Sequence, residues 1–193
     1  MKIESYINAR ARPFNYKGIK SELLFWGESD EIRKGYRPRK VWTLNQKEFR
    51  IIIDFFLQKY NLETFDCEIL LTIDREQPYY LDKKIYLHPI IEDGAIDKKL
   101  RRHQKYDYQF SHELIHHIQE LQSRDNGGEK YPPKHINETE AVANCIWVIE
   151  NVLKFVDYDA RIRFHPEYFD YNEAERLVDS NEISKFWSEQ KTI

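Results

Sequence analysis

The sequence predicts one α+β domain, in which a small antiparallel or mixed sheet packs on two long helices. Three observations carry this. Apolar residues recur at helical spacing in several segments, and two short segments read as strands. A chain of 193 residues with 41% apolar content can also bury one substantial core. The whole of 1–193 is expected to form a single domain, with its core at about 43–156 and extensions at 1–42 and 157–193.

Composition narrows the class. Thirteen Tyr and eleven Phe raise the aromatic share to 15%, enough for a large aromatic core. The mean hydropathy of -0.76 is low for a folded domain. A net charge of only -3 nonetheless separates the chain from disordered sequences and argues against nucleic acid as a partner. Two cysteines, Cys67 and Cys145, do not make a disulfide framework. The first residues lack the apolar core of a secretory signal, and no run of about 18 apolar residues offers a membrane span. A cytoplasmic location is therefore expected.

Leu23 to Trp26 reads as a strand, followed by a solvated basic cluster from Arg33 to Lys40. Thr43-Leu44-Asn45-Gln46 fits a capping box with Thr43 as N-cap. Phe49, Ile52, Ile53, Phe56 and Leu57 then recur at helical spacing as far as about Tyr60. Strands are expected at 66–74 and 84–88, antiparallel to each other. After Gly94 a basic run, Lys98 to Lys105, reads as a solvated helix face. A helix should start near Tyr106 to Tyr108 and stop at Asn126-Gly127-Gly128. Asn137 should cap the next, running to about Phe155. A strand or loop at Arg161 to Phe164 and short helices at 173–178 and 182–189 complete the chain.

The chemistry concentrates in His112-Glu113-Leu114-Ile115-His116. Four residues apart on a helix, two histidines stack on one face and can share one metal ion at about 2.0–2.1 Å. Glu113 sits one position around, beside the coordination space and suited to general-base work. Phe110, Leu114, Ile118 and Leu121 form an apolar stripe on the opposite side, so the helix can be buried while its polar face lines a cleft. Catalytic zinc takes three protein ligands, and the best third candidate is Glu140, at the start of the following helix. Asn144, one turn on, can bond a ligand histidine or orient Glu140. Glu138 is the local alternative, and His135 would give a three-histidine site. Asn137 to Glu140 also fits a capping pattern, which is the ordinary role for Glu140.

His112-Glu113-x-x-His116 followed by Glu140-x-x-Ala143-Asn144 resembles the gluzincin class of zinc metallopeptidases, and within it the small ImmA/IrrE-like peptidases. The resemblance covers about residues 106–150. Ile115 stands where those peptidases usually carry Gly. It implies a zincin-like fold, Zn2+ as cofactor, and a protein or peptide substrate. A regulatory role with a protein partner falls within the same expectation. Zinc would acidify a water whose proton Glu113 takes. Tyr131 and His135 are then candidate oxyanion donors, and strand 84–88, with Tyr86 and His88 near the cleft, would pair with an extended substrate.

Other schemes fit less well. Gln119 and Gln122 stand where metzincins have Gly and a third His. Cys67 lacks the glycine-bearing context of peptide deformylases, so a small-amide hydrolase is a weaker reading. Cys145 reads as a core thiol, and His117 points about 100° away from His116. A zincin-like interaction protein that does not cleave is the remaining alternative.

Overall fold

The computed structural model describes residues 14–21, 25–26, 44–71, 78–87, 102–125, 134–154 and 170–180. These form an α+β arrangement with a small mixed sheet and four α-helices.

The chain enters the sheet through a hairpin, β1 (Phe14–Tyr16) and β2 (Ile19–Ser21), which the sequence reading did not find. Its turn residues Lys17 and Gly18 both have positive φ, 49° and 82°, the twist that a two-residue hairpin turn favours. The turn presses on the loop before the next sheet strand. Phe65 N–H donates to Lys17 O at 2.8 Å. A Cβ on Gly18 would lie 1.6 Å from Phe65 O, so only glycine fits there. Of the strand expected at Leu23 to Trp26, β3 (Phe25–Trp26) is described, and it pairs in parallel with β4 (Leu44–Asn45).

Helix α1 (Gln46–Tyr60) is capped by Asn45, whose side chain accepts from Lys47 N and Glu48 N. Thr43 is not the cap: the helix begins at Gln46, so the capping position falls two residues later than expected. The expected face, Phe49, Ile52, Ile53, Phe56 and Leu57, is buried. Asn61 ends the helix in the left-handed conformation, φ 52°.

Strands β5 (Cys67–Leu71), β6 (Tyr79–Leu81) and β7 (Lys84–Leu87) complete a five-stranded sheet in the order β1-β2-β5-β7-β6. β5 and β7 are parallel, which corrects the antiparallel expectation. The physical reason is β6. It forms a tight hairpin with β7 through Asp82 and Lys83, and so reverses the chain once more between the two.

Helix α2 (Arg102–Asp125) starts a turn before the expected Tyr106, within the basic run. Helix α3 (Lys134–Trp147) begins three residues before Asn137, which is therefore inside it and not its cap. A π-helical turn, Val148–Val152, continues it, and Leu153 N–H bonds Val148 O at 2.8 Å. Helix α4 (Tyr171–Asp179) is capped by Asp170. The expected elements at Arg161 to Phe164 and 182–189, and Phe155, lie outside the described residues.

One core joins the inner face of the sheet (Ile19, Cys67, Ile69, Ile85, Leu87) to α1 and to Phe110, Leu114 and Ile118 of α2. Phe49 and Phe110 stack across the two helices with ring centroids 4.2 Å apart. A second core joins α3 and α4 to Tyr108. Helix α2 lies between the two, and its remaining face carries the polar site. No described helix is long and apolar enough to cross a membrane.

Candidate metal centre

Helix α2 packs against α3 on one side and against β6 and β7 on another. Its spacing of four brings His112 and His116 together, with ring centroids 5.0 Å apart and Nε2 atoms 3.3 Å apart. Glu138 of α3 completes the group. Its Oε2 is 3.1 Å from His112 Nε2, and its Oε1 is 3.6 Å from His116 Nε2. These three are the group among the described residues whose donor atoms converge tightly enough for a metal.

The spacing itself tests the fit. Ligand atoms about 2.0–2.1 Å from a tetrahedral ion lie about 3.3 Å from one another. The two Nε2 atoms, 3.3 Å apart, match that edge, and Glu138 brings Oε2 to 3.1 Å from His112 Nε2 and Oε1 to 3.6 Å from His116 Nε2. Two imidazoles and a carboxylate suit zinc and other borderline first-row ions.

Glu140, the expected third ligand, is not the carboxylate at the histidines. Residues 138 and 140 project about 160° apart around a helix, so one α3 face cannot present both. Glu140 instead turns into the helix interface, where its Oε2 accepts from Gln119 Nε2 at 2.8 Å and its Oε1 is buried without a hydrogen bond among the described residues. Burial pushes its carboxyl up to about 8, against the Gln119 hydrogen bond and the nearby Lys59 charge. Lys59 of α1 is in turn lowered to about 8 by burial, which Glu140 opposes.

Asn144 bonds neither a ligand histidine nor the Glu140 carboxylate. It donates to the Glu140 backbone carbonyl one turn back, at 2.9 Å, and accepts from Lys59 Nζ at 2.6 Å and Tyr60 Oη at 3.3 Å. It therefore ties α1 to α3. Tyr131 lies outside the described residues, as does the side chain of His135, which falls in the first turn of α3.

Glu113 is buried at 3% exposure. Burial raises its carboxyl above the ordinary value; the His112 and His116 charges pull it back, and Glu138 pushes it up again. A carboxylate whose proton affinity is raised beside two imidazoles suits proton transfer. His116 is governed by competing effects. Burial lowers it, but hydrogen bonds to Glu138 and Gln119 and the charges of Glu113 and Glu138 push it up to about 9.

The neighbouring His117 is buried and joins a separate group. A hydroxyl has one proton. Tyr80 of β6 gives its own to the Glu120 carboxylate, so its oxygen accepts from His117 Nδ1, 2.9 Å away, and from Lys83 N–H at 3.1 Å. This pins β6 to helix α2. β7 is paired by β5 along its length and by β6 at Lys84, Ile85 and Tyr86, so at those positions it cannot take another strand as expected. Tyr86 stacks on Tyr79, centroids 4.4 Å apart, and His88 lies outside the described residues.

Cys67 is buried on β5 and Cys145 on α3, and burial raises both thiols well above their usual value. Cys145 Sγ donates to Tyr108 O at 3.0 Å. Neither cysteine joins the converging group. Gln119, which bonds His116 Nδ1 at 2.8 Å, was not found as a site residue. Its position three residues after His116, on the same helix face, is the signal that points to it. Comparisons with protein-family models, with curated proteins and with solved structures give no match.

Proposed function

We propose that this chain is a zinc-dependent metallopeptidase of the gluzincin kind with a zincin-like fold, hydrolysing a peptide bond in a protein or peptide substrate. The observation that carries it is the convergence of His112, His116 and Glu138 with the buried Glu113 one residue from His112. In this reading His112 and His116 of α2 and Glu138 of α3 hold the ion. Zinc supplies Lewis acidity and makes water a nucleophile near neutral pH. Glu113 accepts the proton of the attacking water and returns it to the departing amine.

The sheet supports a peptide substrate. Among the described residues β6 has no strand on its outer side, and it runs antiparallel to β7. An extended peptide added there would lie beside the helix that carries the histidines, to which Tyr80 anchors the strand.

Zinc content and cleavage of a peptide library test this together, on wild type and Glu113→Gln. About one zinc per chain is expected in both. Cleavage should fall about 10²–10⁴-fold in the variant. Wild type that holds no zinc after loading overturns the reading. Zinc retained with no peptide cleaved by wild type would favour the non-cleaving interaction protein instead.

A further inference from the structure

The two histidines differ in what lies behind them. Among the described residues His112 Nδ1 is buried with no hydrogen bond, whereas His116 Nδ1 meets the Gln119 amide oxygen at 2.8 Å. We infer that Gln119 is a positioning residue: its amide fixes His116 as the Nδ1–H tautomer and so keeps Nε2, the atom facing Glu138 and His112, free to bind a metal. The metal part of this inference rests on the reading of the site given above.

The buried contacts of the Gln119 amide fix which way it points. Gln119 is 2% exposed, so its amide depends on the protein groups around it. Its Nε2 lies 3.1 Å from Asn137 O and 2.8 Å from Glu140 Oε2. A backbone carbonyl only accepts, so the Asn137 contact by itself requires the nitrogen end there, whichever protonation state Glu140 holds. The nitrogen end, which carries two N–H groups, is therefore the end that faces α3, and both N–H groups are used there. A flip would set the amide oxygen against the Asn137 carbonyl and the Glu140 carboxylate, leaving N–H groups aimed at His116. With the nitrogen held, the oxygen faces His116 Nδ1. An oxygen acceptor requires a proton on that ring nitrogen. In the neutral ring the other nitrogen then carries the lone pair.

Residues on two helices thus act through one side chain. Asn137 and Glu140 orient Gln119, and Gln119 orients His116. This assigns Glu140 a role behind the ligand group and explains why a carboxylate two positions from Glu138 faces away from the metal.

The tautomer can be read without a metal. Long-range proton–nitrogen NMR of the metal-free protein at about pH 10, above the His116 titration, separates Nδ1–H from Nε2–H rings. Wild type is expected to show His116 as Nδ1–H. Gln119→Met, which keeps the length and packing of the side chain, should shift it toward Nε2–H and leave His112 unchanged. Zinc affinity, measured by competition with a chelating dye, should fall about 10–100-fold in Gln119→Met. An Nε2–H ring in wild type, or an unchanged ring in Gln119→Met, overturns the tautomer lock whatever the metal does. Wild type that binds no zinc overturns the reading of the site and the metal part of this inference, while the wild-type spectrum, which needs no variant to fold, still decides the lock.

Discussion

Glu138 and Glu140 stand two positions apart on one helix, one beside two imidazoles and the other against an amide and a buried ammonium. Single substitutions separate their roles. Glu138→Gln removes a charged ligand and should weaken zinc binding by more than the 10–100-fold typical of an outer partner, whereas Glu140→Gln should stay within that range. Calorimetric zinc titration of both variants checks this. Proton affinity gives a second prediction, for the metal-free chain. His116 is raised to about 9, so its contribution is complete below its usual 6.5 and is lost as pH rises through about 9. Glu138 is depressed, so its contribution holds above its usual 4.5 and fades as pH falls below that. Urea unfolding after chelation should therefore show His116 contributing a drop of about 3 kcal/mol from pH 6 to pH 10, while the loss from the raised Glu140 below about pH 8 and the gain from the lowered Lys59 above it roughly offset. In Glu138→Gln most of that drop should vanish.

The elements hold this group in place through caps and close approaches. Asn45 caps α1, so Asn45→Ala should cost about 1 kcal/mol in denaturant unfolding. Gly18 combines a positive φ with contact against the Phe65 carbonyl. Gly18→Ala should therefore cost more than a conformational penalty alone, about 3 kcal/mol or above, because the hairpin must part from the following loop. The same scale shows what could be read in advance. Helix α1 was legible because five apolar residues repeat with one period and bury on one side. The histidine pair was legible because spacing on one helix fixes who meets whom. The β1–β2 hairpin was not, since its strands are only three residues long and its turn is Lys-Gly, not Asn-Gly. Nor was the direction of β5 against β7: alternation assigns faces but not partners. The choice between Glu138 and Glu140 depends on how α3 is rotated against α2, a property of packing between helices that neither segment encodes alone.

Across the whole molecule, the candidate centre links two cores. Helix α2 contributes to both, α3 belongs mainly to the second, and the three converging side chains bridge them. An ion held there binds the folded chain and not the unfolded one. At a free concentration one hundred times its dissociation constant it adds about 2.7 kcal/mol. Removing it with a chelator should lower the thermal midpoint by about 5–10 °C in scanning calorimetry, and zinc should restore it. In Glu138→Gln the chelator should have little effect.

Strand β6 is three residues long, closes with Asp82 and Lys83, and leaves the exposed Leu81 on its rim. An open strand edge in general does not distinguish one added strand from another, because all present identical backbone groups. Self-association through such edges is how sheet proteins precipitate and form fibres. Shortness is the usual safeguard: three residues offer few ladder bonds to a second molecule, while a charged hairpin at the end discourages extension. An edge of this length thus limits the grip of any strand added to it, and a stable pairing with a long segment needs contacts beyond the strand itself.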